Sequence, residues 1–141
     1  MKNYCCLLIL LASCFCWSQN SDQYRACSKD AVSQHEMHVC ANEEAIRVDN
    51  ELNRVYRLLL SKVRDNPLAT AKIKAAQKAW IKYRDAYIEA MYPAKDKQAE
   101  YGSIFPMEVD LLGAKLTHQQ IGALKDLLKE YDDSQEPSRK R

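Results

Sequence analysis

Six cysteines, three histidines and scattered carboxylates are the residues of this 141-residue chain that can do chemistry, and their spacing decides how much of it to expect. His35 and His38 stand three apart at the start of a helical pattern, a spacing that can offer two imidazoles to one metal ion. Only Glu36 is near as a third ligand, so no metal site is expected, and His118 at a later helix start reads as ordinary. Hydrolysis needs a nucleophile held by a base, or two carboxylates set across a cleft, and neither has a local signature here. A glycine-rich phosphate loop is also missing. The chain reads as a binding protein without a cofactor rather than as an enzyme.

The cysteines divide into two groups. Cys5, Cys6, Cys14 and Cys16 belong to residues 1–18, where Lys2 is followed by an apolar run that turns polar at Gln19, the pattern of an export signal. The run is too short for a membrane span, which takes roughly 20 apolar residues. Cleavage after Ser18 leaves Cys27 and Cys40, and two cysteines in an oxidising compartment predict one disulfide, worth about 3 kcal/mol for a loop of that length. Leu11-Ala12-Ser13-Cys14 also resembles a lipobox, which would make Cys14 a lipidated membrane anchor. Phe15, Cys16 and Trp17 prolong the apolar run beyond Cys14 and favour a protein free in the periplasm or secreted. A membrane partner is expected only if Cys14 is lipidated.

The formal net charge is +2, or +1 once Lys2 is lost with the leader. A nucleic-acid partner would call for a strong basic excess on one face, whereas Glu43, Glu44, Asp49 and Glu51 here interleave with Arg47, Arg54 and Arg57. Residues 132–141 are polar and charged, with nothing to bury, and read as a disordered tail.

Few glycines and prolines and scarce alternating apolar runs predict an all-α fold, a small antiparallel bundle of about four helices, two long and two short. One domain spans residues 19–131. Residues 19–32 show no sustained period and read as an irregular arm pinned by Cys27. Ser33 and Glu36 form a capping box that opens the first helix, and Ala41, Ala45, Val48, Leu52, Val55 and Leu59 follow as a heptad seam. The second helix runs from about Pro67 to Tyr92, with Ala69, Ile73, Ala76, Trp80, Tyr83, Tyr87 and Met91 on one face. Trp80 sits in mid-seam, where the other helices are expected to pack around it. Leu52, Tyr56, Trp80, Tyr83 and Leu112 are the expected core. A third helix begins near Ser103, which reads as its cap, and Thr117 to Gln120 form another capping box that starts a fourth.

Residues 93–102 form the longest stretch between helices without a seam, so a binding loop is most easily placed there. Lys95, Lys97, Tyr101 and Ser103 are its candidate contacts. Arg84 and Asp85, at the edge of the second helix's seam, read as a rim ion pair, with partner contact as the alternative.

Gln77-Lys78-Ala79-Trp80-Ile81-Lys82-Tyr83-Arg84-Asp85-Ala86, followed by Gly102-Ser103-Ile104-Phe105-Pro106-Met107, resembles the LprI-like family of bacterial lysozyme inhibitors. Cys27 and Cys40 flanking Glu36-Met37, then Leu52-Asn53-Arg54-Val55-Tyr56, and later Leu116-Thr117, fall in the family's order, so the resemblance covers residues 27–128. Many relatives carry a second cysteine pair at positions that correspond here to Ile88 and Leu112, both apolar. The resemblance implies an exported helical protein that occludes the cleft of a cell-wall muramidase. Such a cleft works through carboxylates, against which Lys95, Lys97, Tyr101 or Ser103 could make charge-assisted hydrogen bonds. An immunity protein against a peptidoglycan-degrading toxin, or a structural module of the envelope, are the alternatives.

Overall fold

A computed structural model describes residues 21–134. The leader with its four cysteines and the basic end of the tail lie outside the described residues. The chain forms α1 (Asp22–Asp30), α2 (Gln34–Lys62), α3 (Pro67–Met91), the single turn α4 (Lys97–Tyr101), a 3-10 turn (Gly102–Ile104) and α5 (Phe105–Ser134). The fold is all-α, with an N-terminal arm pinned by the Cys27–Cys40 disulfide.

Helix starts follow local chemistry. Ser33 and Glu36 exchange the two bonds of a capping box at α2. That box occupies the Glu36 carboxylate between His35 and His38. Asn66 caps α3 by accepting from the Ala69 amide, with Pro67 in the first turn, where its missing N–H costs nothing. Among the described residues only Gly102 has a positive φ, 69°, and it swings the chain from α4 into α5.

Two partitions differ from expectation. The arm is not irregular, because α1 is helical, capped by Ser21. It buries no side chain, so no apolar period existed to reveal it. Nor is there a break at Thr117. That residue is buried inside α5 and its hydroxyl donates to the Gly113 carbonyl four residues back, satisfying itself within the helix instead of capping a new one. Ser103 caps nothing either, lying within the 3-10 turn.

The long helices pack as an up-down-up set. Contacts between α2 and α5 ascend together, Glu44 with His118, Glu51 with Lys125 and Lys62 with Asp132, so the two run parallel. Gln77 meets Gln120 and Ile88 lies beside Gly113, in opposite order, so α3 runs antiparallel to α5. The Ile88–Gly113 approach also brings Ile88 to the neighbourhood of Leu112, although Leu112 itself is only half-buried. The core is Val48, Leu52, Val55, Leu59 and Val63 of the α2 seam, Ala69 and Ile73 of α3, and Ala114, Ile121 and Leu124 of α5, with Tyr56 and Trp80 packed against it. Val48, Val55 and Leu59 are fully enclosed, each side chain contributing roughly 1.5–3 kcal/mol.

Candidate functional site

The segment after α3 is tied to the bundle. Lys97 bonds Glu89 at 2.9 Å and the Ala94 carbonyl at 3.3 Å. The Tyr101 ring stands 5.2 Å from Tyr92 and 5.7 Å from Phe105, and its hydroxyl accepts from the Ala94 amide. Burial, followed by the Glu108 carboxylate, pushes the Tyr92 phenol up, as a drying ring cluster should. Ser103 accepts from the Gln34 amide nitrogen at 2.8 Å. Of the four expected contacts, Lys97, Tyr101 and Ser103 therefore hold this corner together, and only Lys95 is exposed with no bond to the described residues.

α3 has a different register from the one its apolar residues suggest. The residues turned inward are Ala69, Ile73, Gln77, Trp80, Arg84 and Ile88. Past Ile73 the line has moved one position, from Ala76 to Gln77, Tyr83 to Arg84 and Tyr87 to Ile88. Tyr83, expected in the core, is 55% exposed, and Tyr87 and Met91 stand out with it on one stripe. The polar residues brought inward are satisfied. Gln120 donates to Gln77 at 3.0 Å, and the Arg84 guanidinium lies 5.3 Å over the Trp80 ring while pairing with Asp85 at 2.9 Å. Trp80 is half-buried at the edge of the core, not at its centre.

Beside this half of α3 opens a groove of about 400 Å³ between three helices. Ile46 and Asp49 of α2, Arg84, Asp85 and Ile88 of α3, and Val109 and Asp110 of α5 are among its walls. Arg84 and Asp85 thus come together with residues that sequence reasoning did not single out, and the four loop candidates do not. Asp49, Asp85 and Asp110 outnumber the one cation, Arg84, so the groove is net acidic.

On another stripe of α2 a second polar cluster was also missed. Glu44, only 3% exposed, receives the Ser21 hydroxyl at 2.6 Å, the Ser21 amide at 3.3 Å and Arg47 at 2.8 Å, with His118 Nε2 at 3.2 Å. Burial alone would raise this carboxyl, but the donors of Ser21, Arg47 and His118 outweigh it and hold the group below the ordinary value. The cluster and the disulfide clasp α1 onto α2. The signal was the seam itself, because the step from Ala41 to Val48 passes through Glu44 as readily as Ala45, and Arg47 stands at ion-pair spacing.

The architecture is that of a small helical protein with a clasped N-terminal helix and an exposed aromatic stripe on α3. The chain belongs to the family described as Lysozyme inhibitor LprI, which matches residues 26–124. It is also similar to an uncharacterised protein of Rhizobium meliloti (strain 1021), 32% identical over 125 residues that cover 81% of this chain and 87% of the relative. No solved structure matches. Among the described residues no helix is long and apolar enough to cross a membrane.

Proposed function

We propose that the protein acts outside the cytoplasm as a lysozyme-inhibitor-like binding protein that blocks a cell-wall muramidase by occlusion, with the C-terminal half of α3 as its contact surface. The family match supports the class of partner. The observation that carries the surface is the outward turn of Tyr83, Tyr87 and Met91. Tyrosine and methionine are enriched where proteins meet, tyrosine because it offers a large amphipathic area at low entropic cost and methionine because its polarizable thioether adapts to an apolar partner. The two rings stand 5.8 Å apart on one stripe of α3. Occlusion needs no chemistry from the inhibitor, only a rigid projection that fills or caps a substrate cleft.

The test is clearance of a cell-wall suspension by several muramidase types in the presence of the purified protein. Inhibition of at least one type is expected, and Tyr83→Ala with Tyr87→Ala should weaken it by about tenfold or more. No inhibition of any type at large molar excess would overturn the reading.

A further inference from the structure

Charge is distributed unevenly among the long helices. α3 carries Lys72, Lys74, Lys78, Lys82 and Arg84 against Asp85 and Glu89, an excess of +3. α5 carries Lys115, Lys125 and Lys129 against Glu108, Asp110, Asp126, Glu130, Asp132 and Asp133, an excess of −3. Near-neutrality of the whole chain conceals this separation. The two carboxylates of α3 are already engaged, Asp85 by Arg84 and Glu89 by Lys97. Lys72, Lys74, Lys78 and Lys82 are all exposed, and none pairs with a carboxylate among the described residues.

Lys74, Lys78 and Lys82 recur every fourth residue, so they form one line along the helix, away from the buried face, with successive members about 6 Å apart along the axis. That is the scale on which a muramidase sets its working groups, since glycoside hydrolases hold two carboxyls about 5–9.5 Å apart across the scissile bond. Unpaired cations at this spacing complement such a pair whatever the net charge of the enzyme, because the catalytic cleft is locally acidic even on a basic protein. A helix fixes the interval between the Cα atoms of such a line, which a flexible loop would not.

We infer that the Lys74–Lys78–Lys82 line of α3 lies along the carboxylate-bearing cleft of the inhibited muramidase, while Tyr83 and Tyr87, roughly opposite Lys74 and Lys78 around the helix, meet the partner on the other flank of α3. This rests on the inhibitor reading and adds the chemistry and orientation of the contact. The complex should form faster at low salt, since the line would steer association, and should weaken as salt rises.

The experiment compares wild type, K74E/K78E/K82E and K74R/K78R/K82R against a muramidase that the wild type inhibits, and against the same enzyme with both catalytic carboxylates converted to amides. The glutamate variant is expected to bind about 100-fold more weakly, with helical content unchanged because all three positions are exposed, and the arginine variant to bind as wild type does. The amide enzyme should bind wild type more weakly and lose its discrimination between the variants. Equal inhibition by the glutamate variant would overturn the inference while leaving the inhibitor reading in place. Vesicles of phosphatidylglycerol provide the other source of anions. Binding to them that is lost in the glutamate variant, with muramidase inhibition retained, would assign the line to a lipid surface and also overturn the inference. Failure of the wild type to inhibit any muramidase would remove both.

Discussion

α2 and α3 differ in how much of their length is held. α2 lies against α5 from Ala41 to Leu59 and buries an apolar residue at nearly every inward position, Glu44 excepted. α3 buries only Ala69, Ile73 and Gln77, all in its first half, and beyond them it borders an open groove. Where a helix is covered along its length, hydrophobic burial sets the register, since each misplaced Val or Leu would forfeit a large part of its transfer energy. Where one flank stays open, large apolar residues can remain in water at modest cost, and polar pairs such as Gln77 with Gln120 occupy the inward positions.

The largest expected effect lies in the covered helix. Leu59→Ala should cost about 3–5 kcal/mol in denaturant unfolding, because the side chain is fully buried among core residues. A loss under about 1 kcal/mol would show that α2 is no better packed than α3, and the contrast would collapse.

Glu44→Gln probes the polar exception in α2. It weakens the contacts to Ser21, Arg47 and His118 while keeping the volume, and should cost about 2 kcal/mol near neutral pH. Its pH dependence has a definite sign. The folded carboxyl lies below its ordinary value of 4.5, so the stabilisation is complete above that value and is lost as the pH falls through the folded one. Glu51, held down to about 2 first by hydrogen bonds from Arg54, titrates on the same acid side. The gap between wild type and Glu44→Gln should therefore close on acidification below about pH 4.5. A gap that stays constant to pH 2.5 would mean that the carboxylate's charge is not what holds α1.

Trp80→Ala measures how far the covered region extends into α3. A half-buried ring at the core edge should contribute about 2 kcal/mol, less than a central tryptophan. A loss above about 4 kcal/mol would place the core boundary further along α3. Smallest of all, Tyr83→Ala should move the unfolding free energy by less than about 0.5 kcal/mol, and a larger effect would return Tyr83 to the packed interior.

The features legible in the sequence were those set by local chemistry or continuous burial. Ser33 with Glu36, Pro67 at the start of α3, the α2 seam from Val48 to Leu59 and the Cys27–Cys40 pair all stand where the residues placed them. α1 was invisible because its docking uses a disulfide and one carboxylate instead of an apolar stripe. The continuity of α5 was masked because Thr117, a good cap in a sequence, can equally bond back to Gly113. In the candidate surface, Arg84 and Asp85 were noticed for their place in the tryptophan motif. Tyr83 was misplaced because apolar periodicity alone cannot distinguish a covered stripe from one left open.

The Ser21 clasp also determines how the protein is displayed. Both hydrogen bonds that Ser21 donates to side chains end on Glu44, and α1 continues along the stripe of α2 that carries Cys40, while the groove and α3 border the stripe of Ala45, Ile46 and Asp49. Ser21 therefore lies on a different flank of the bundle from the one α3 borders. A surface pressed against the α1 flank would leave the α3 surface turned toward solution, the orientation in which it stays open to a partner.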